Sequence, residues 1–328
     1  MNNEFVEIGN IFIEIPLGIS AFVIASFLGL LVYRNNPRSW TNRLFLILVA
    51  IIDVYIVVNF LSLHPPIKTS ENQLFWIRFV MFVTSFMGPT LFLFVHTFPR
   101  DIVSLPQKYL FPLGALALAS ASASLSPLVF RSIHYPNETP TPIPGPGIVL
   151  FFLNFAGLFL LSFGVIIYKY LKARGIEKAQ HFHLLLGIIL SFSGMVVFTV
   201  VFVVVLKTPF FVFLGPILPV ILMLFISYAI VKYGLFNLKI FAGQLLIAML
   251  WIILFARIFI PSPLIEKVIN ISIFGVVLIV GILTLRSFQK EINYRVQEAA
   301  YGELRKLDAA KSEFITIASH QFRTPLSA

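Results

Sequence analysis

Nine stretches of about 20 or more mostly apolar residues alternate with short polar connections. They run at about 11–33, 43–63, 74–97, 109–130, 147–170, 182–206, 210–231, 239–260 and 265–285. At about 1.5 Å rise per residue, each is long enough to cross a hydrocarbon layer of about 30 Å. Backbone groups in lipid must find partners within their own segment, so runs this apolar predict helices. The pattern predicts an all-α fold: a polytopic transmembrane bundle of about nine spans. After residue 285 the pattern changes to charged and helix-prone text that predicts a cytoplasmic helix.

Composition supports the membrane reading. Charged residues make up 12% of the 328 positions, about half the ~25% of soluble domains, and mean hydropathy is +0.95. The net charge of +10 does not imply nucleic acid, because the basic residues sit in short loops between apolar runs. Membrane lipids are the partner this distribution implies. The chain has no Cys, which excludes disulfides, thiolate metal sites and a cysteine nucleophile. Residues 1–10 hold Glu4 and Glu7 and no basic residue, unlike a cleavable signal peptide. They read as a short extracytoplasmic tail.

Basic residues alternate between connections. Those after the first, third, fifth and seventh segments hold Arg34, Arg38, Arg43, Arg100, Lys108, Lys169, Lys172, Arg174, Lys178, Lys232 and Lys239; the others hold Lys68, Arg131, Lys207, Arg257 and Lys267. Cytoplasmic loops carry the Lys/Arg excess, which predicts an outside N-terminus and a cytoplasmic C-terminus. The stretch 131–147, with five prolines, predicts extended polyproline-like coil. Its Asn137-Glu138-Thr139 matches the glycosylation pattern, one that is common by chance. No outer loop is long enough for a folded sensor domain, so a stimulus would be detected within the helices or by a partner.

Ionisable residues inside membrane segments are the usual pointers to a site. Asp53 lies near the middle of the second segment, and Arg78, near the outer end of the third, is a partner within reach. Asp53 therefore has two readings: proton sensing or ligand contact, and a structural interhelical hydrogen bond to Tyr55, Asn59 or a neighbouring helix. Glu14 and Gln244 lie near segment ends, as do His64 and His96. His181 and His183, two residues apart on a helix, point roughly 200° apart and read as interface residues rather than metal ligands. The run ALASASASLS in the fourth segment is a small-residue surface for close helix packing. Pro89, Pro112, Pro216 and Pro219 lie inside segments, where they kink helices.

From Arg286 onward there is no Pro until Pro325 and a single Gly, Gly302. Apolar or small residues recur at Ile292, Val296, Ala300, Leu304, Leu307 and Phe314, which fits a helix carrying a two-stranded coiled-coil seam. The organisation expected is a tail at 1–10, seven membrane helices over 11–231, two further helices over 232–285, a signalling helix over 286–306, and an output segment over 307–328.

That last segment, LDAAKSEFITIASHQFRTPLSA, resembles the start of the dimerisation and phosphoacceptor domain of sensor histidine kinases. Its H-box is Ser319-His320-Gln321-Phe322-Arg323-Thr324-Pro325-Leu326, with Leu307-Asp308, Lys311-Ser312 and Glu313-Phe314 as lead-in. Segments one to seven resemble the seven-helix N-terminal region of some bacterial histidine kinases, through Asn36-Pro37-Arg38-Ser39 and the Phe98-Pro99 exit from segment three. The same membrane module also occurs on cyclic-dinucleotide enzymes; the tail decides for the kinase output.

The resemblance implies that His320 is the phosphoacceptor and that its phosphoryl group passes to an aspartate of a response regulator. A neutral imidazole can attack the γ-phosphorus of ATP, and an unperturbed pKa near 6.5 leaves much of the ring neutral. The residue after the histidine is often acidic in the family. Here it is Gln321, which can orient the ring by hydrogen bonding but cannot take up its proton. Thr324 matches the position that aligns water for dephosphorylating the partner. The resemblance also implies a homodimer in the bacterial cytoplasmic membrane. No ATP-binding motif appears in the sequence, so ATP and magnesium are expected on a catalytic domain beyond Ala328, with no cofactor bound by this chain and no activity from it alone. The rival expectation is a transporter or channel with Asp53 on the substrate or proton path.

Overall fold

The computed structural model describes residues 2–134, 141–195, 197, 214–215, 217–233 and 263–323, with single positions between 243 and 258. It divides into two compact units, Met1–Asn270 and Ile271–Ala328. Among the described residues, five helices are long and apolar enough to cross a membrane: Glu14–Asn35, Trp40–Leu63, Ser70–Thr97, Ile148–Lys172 and Leu264–Ser287. The nine expected spans are therefore matched in part. The fourth segment forms a helix of 15 residues, the sixth is described only as far as Met195, and the seventh gives a shorter apolar helix, Ile217–Ile230. The eighth, 239–260, lies largely outside the described residues, as do Pro216, Gln244 and the glycosylation triplet.

Helix α1 (Asn2–Asn35) begins within the residues expected to be a tail. Helix α2 (Trp40–Leu63) follows a turn in which the Ser39 hydroxyl accepts the Asn42 N–H, an N-cap that occupies one of the helix's orphan donors. The third segment breaks at Ser85 and Phe86 into α3 (Ser70–Thr84) and α4 (Met87–Thr97). The break follows from Pro89. It has no N–H, so the Ser85 carbonyl loses its donor one turn on.

Asn154 replaces that donor. Its Nδ2 donates to the Ser85 carbonyl at 2.7 Å from a π turn, Leu153–Gly157, that joins α6 (Ile148–Phe152) to α7 (Leu158–Lys172). Gly88 permits the approach, because a Cβ there would lie 2.7 Å from the Asn154 carbonyl oxygen.

Helix α5 (Leu110–Ser124) follows a single 3-10 turn, Gln107–Tyr109. It ends six residues short of the predicted segment, at a Ser126-Pro127 step that disfavours helix before the proline. The small-residue surface packs within the chain: Ser120 and Ser124 are buried, and the Ser120 and Ser85 hydroxyls lie 3.1 Å apart. The 131–147 stretch is not wholly unpaired coil. Strands β1 (Phe130–His134) and β2 (Thr141–Pro144) form an antiparallel pair, Ile133 opposite Pro142, with an irregularity between Phe130 and Ser132. Prolines 142 and 144 are compatible with β2 because neither strand has a second neighbour.

Helices α8 (Gly175–Met195) and α9 (Ile217–Tyr233) complete the first unit. Neighbouring helices form a closed circuit, α1–α2–α4–α7–α8–α9 and back to α1, with α3, α5 and the hairpin outside it. Leu28, Phe45, Ile52, Phe94, Ile166, Leu184, Ile188, Met223 and Ile226 fill the core. Lipid tails are as apolar as leucine, so association depends on close packing and polar bonds. Ala21, Ala25 and Gly29 put small residues at four-residue spacing on α1, and the Val49 side chain sits 2.9 Å from where a Gly29 Cβ would be. The second unit lies on α10 (Leu264–Arg323), a 60-residue helix. It carries the expected extension of segment nine as one uninterrupted helix.

Asn154→Ala should leave the Ser85 carbonyl unpaired and destabilise the bundle by about 1–3 kcal/mol, read as a lower Tm in detergent or nanodiscs. Adding Pro89→Ala restores a backbone donor for that carbonyl and should recover much of the loss.

Candidate functional site

Helix α4 ends at Thr97, and its last carbonyls have no intrahelical donors. Lys169, in the last turn of α7, places its ammonium among them. Nζ donates to the carbonyls of Val95, His96 and Phe98 at 2.7, 3.0 and 2.9 Å. A cation at this position also complements the negative end of the helix dipole.

The chain then turns through Pro99, Arg100 and Asp101. Asp101 has φ 59°, a left-handed conformation that short polar side chains tolerate better than most. This turn aims its carboxylate across 60 residues of sequence at the start of α2. Oδ1 accepts the Ser39 hydroxyl at 2.7 Å and the Thr41 N–H at 2.8 Å. Asn42 Nδ2 donates to the carbonyls of Val32 and Asn36 at 2.9 and 3.2 Å, closing the end of α1. The two short motifs singled out in sequence, Asn36-Pro37-Arg38-Ser39 and Phe98-Pro99, therefore meet at one junction.

Arg100 extends the junction to α8. Its Nε and Nη2 donate to the two carboxylate oxygens of Glu177 at 3.0 and 2.9 Å. The guanidinium holds the Glu177 carboxyl below the usual carboxylate range, so the pair stays charged at neutral pH and is lost only on strong acidification. Both side chains are exposed, and an exposed pair adds little stability; its effect is to fix where α8 starts. Gln180 Nε2 reaches the Ala229 carbonyl of α9 at 3.4 Å. The connections after segments one, three and five thus converge on one end of the first unit. The other end holds the hairpin, the 2.6 Å His64–Glu14 pair and the bond from Gln73 to the Ser62 carbonyl. This grouping matches the alternation of basic residues in the sequence.

The predicted intramembrane pair does not form. The Arg78 guanidinium donates to the Phe130 carbonyl from Nε and Nη2 at 3.0 and 2.6 Å, fastening α3 to β1. The guanidinium satisfies a carbonyl at the irregularity in the hairpin instead of reaching for the Asp53 carboxylate. Asp53 accepts the Ser26 hydroxyl of α1 on Oδ2 at 2.6 Å, while Oδ1 is buried without a partner. Of the partners the structural reading named (Tyr55, Asn59 or a neighbouring helix), it is the neighbouring helix, α1, that supplies the bond. His183 and His181 diverge as predicted: His183 packs on Tyr228 with Nδ1 at the Ala179 carbonyl, and His181 is buried against Phe98. His320 and Gln321 lie on the last turns of α10; Thr324 lies outside the described residues.

Asp101, Lys169 and Glu177 were not recognised as junction residues from sequence. Lys169 was visible only as one of the basic residues at the fifth loop, and the Asp101–Ser39 contact leaves no local signal.

A circuit of apolar helices followed by one long helix with a polar later portion is the architecture of an integral membrane protein. A family model described as the N-terminal 7TM region of histidine kinase matches residues 17–239, and the chain belongs to this family. No curated protein and no solved structure matches it.

Asp101→Ala should remove the cross-loop cap of α2 and cost about 0.5–2 kcal/mol. Asp101→Asn keeps an acceptor and the left-handed turn and should cost less; thermal unfolding of the two variants compares them. Asp53→Asn keeps an acceptor for Ser26 and should leave expression and signal output at parental levels. A stimulus response altered at unchanged Tm would instead assign a role to the carboxylate's charge.

Proposed function

We propose that this chain relays a stimulus detected in the membrane to autophosphorylation of His320, from which the phosphoryl group passes to a response regulator. Family membership makes the first unit the membrane sensor part of a histidine kinase; the observation that supports the relay is that Ser319 to Arg323, the first part of the H-box, lie on the same helix, α10, as the last apolar span. His320 is 34 residues beyond Arg286, about 50 Å along a helix at ~1.5 Å per residue. A small rotation or axial shift of the span would therefore reach the acceptor through one rigid element.

The remaining roles follow the resemblance. The active form is a homodimer paired along α10, in the bacterial cytoplasmic membrane, with the N-terminus outside and His320 in the cytoplasm. ATP with magnesium belongs to the catalytic domain of the intact kinase and supplies the γ-phosphoryl group. At His320 a ring nitrogen forms the P–N bond as the γ-phosphorus to bridging-oxygen bond breaks and ADP leaves. The ring's proton passes to water or to a base other than Gln321, whose amide orients the ring without accepting a proton. Thr324, four positions on, aligns water for hydrolysis of the phosphoryl group on the partner regulator, releasing inorganic phosphate.

Joining residues 1–328 to the remainder of a dimerisation domain and an ATP-binding domain, so that His320 is the one H-box histidine present, should give stimulus-dependent incorporation of labelled phosphate, abolished by His320→Gln. Incorporation that survives His320→Gln would remove the assignment. Gln321→Glu should preserve or raise the rate, and Thr324→Ala should slow dephosphorylation of the regulator more than it slows kinase activity.

A further inference from the structure

Beside the junction lies a cavity of about 400 Å³, bounded by the end of α4, the end of α7 and the start of α8. Three features of its wall remain unexplained by the bracing contacts. His181 lines it and is only 3% exposed; its one backbone contact is with Glu177 one turn back, and its ring is left without a well-formed hydrogen bond. Lys172 lines it from the last turn of α7, where its ammonium touches the Tyr168 hydroxyl and lies 4.3 Å over that ring. Its other neighbours are predominantly cationic: Arg100 and Lys169 face it together with Lys172, against one carboxylate, Glu177.

That carboxylate is covered by the Arg100 fork, so it repels an anion less than a free one would. Lys169 has its three protons on carbonyls and contributes field rather than a free donor. The donors left for a ligand include the Lys172 ammonium at the mouth, a ring N–H of His181 on the wall, and the Arg100 N–H groups that do not meet Glu177. Phe98 and Ile102 add an apolar flank. A buried imidazole without partners is costly unless something supplies them, and paired cations with one neutral donor suit a tetrahedral oxyanion.

We propose that this cavity binds a phosphate-bearing anion, either the headgroup of an anionic phospholipid or inorganic phosphate. The site is independent of the kinase reading, since every residue in it belongs to the membrane unit. A headgroup seated between α4, α7 and α8 would bear on the same carbonyls and turn that set the position of α2 and α8. Lipid composition, or phosphate, would then bias the sensor directly.

The test uses the full chain in nanodiscs. Binding is read by native mass spectrometry and by thermal shift, in phosphatidylcholine discs, in the same discs containing phosphatidylglycerol, and in phosphatidylcholine discs titrated with inorganic phosphate. The parent should retain phosphatidylglycerol or bind phosphate. Lys172→Gln and His181→Phe should each weaken binding about tenfold, the loss expected for one charge-assisted or buried hydrogen bond. Lys108→Gln, a cation on the same end but outside the cavity, should bind like the parent. Tm in pure phosphatidylcholine reports folding separately. His181→Phe keeps a ring against Phe98, and Lys172 is an exposed residue whose loss should leave the fold intact. Response to phosphatidylglycerol alone identifies a lipid headgroup; response to inorganic phosphate identifies the free ion. No response to either, or equal binding by the parent and both cavity variants at parental Tm, overturns the proposal.

Discussion

A helix in hydrocarbon cannot leave a carbonyl without a donor, and most of the distinctive polar residues in the membrane unit answer that demand. At several breaks and ends a side chain from another element closes the gap. Asn154 serves the carbonyl that Pro89 orphans in the middle of the third segment. Lys169 serves three at the end of α4, Asn42 serves the end of α1, and Arg78 serves the hairpin. Each of these bonds joins separate parts of the chain, so the requirement that stabilises the individual elements also fixes how they are arranged. Water would relax the demand at each point. In its absence the breaks become the places where the bundle is tied.

The architecture was readable in sequence where the signal is local. Apolar run length located the long helices, and the alternation of basic residues separated the two ends that the structure groups through Asp101, Arg100 and Gln180. The uninterrupted helix after Arg286 followed from the lack of proline. What escaped were the pairings. Asp101 and Ser39 are 62 positions apart, and Lys169 and Val95 are 74 apart; no spacing rule connects them. Arg78 was matched to Asp53 because both are charged and near in the expected bundle, whereas a backbone carbonyl in an irregular hairpin is the stronger claimant on a guanidinium. The prolines of 131–147 suggested unpaired coil, but extended backbone is already close to strand geometry, and a two-stranded edge needs no donor from Pro142 or Pro144.

The membrane unit and α10 divide the functional reading between them. Family membership covers residues 17–239, which include the polar junction of α1, α2, α4, α7 and α8. The proposed acceptor, His320, belongs to the second unit. An input acting on the membrane unit thus has a rigid cluster of helix ends to act on, rather than a flexible loop. In the proposed relay, His320 stands on a helix continuous with the last span.

One further consequence concerns the π turn at Leu153–Gly157. A π turn holds one residue more than an α turn, and each residue advances a helix by about 100°. Everything after Gly157 is therefore rephased by that single extra position. Lys169 lies twelve residues later, and it faces the carbonyls of α4 because of this offset. Had the segment been regular helix, the same sequence would present its ammonium about a quarter-turn away, towards lipid or a different neighbour. The irregularity that brings Asn154 to the break in the third segment is thus also the phase setting for the cation at its end, so one inserted residue aligns α7 with α4 at both levels of the membrane.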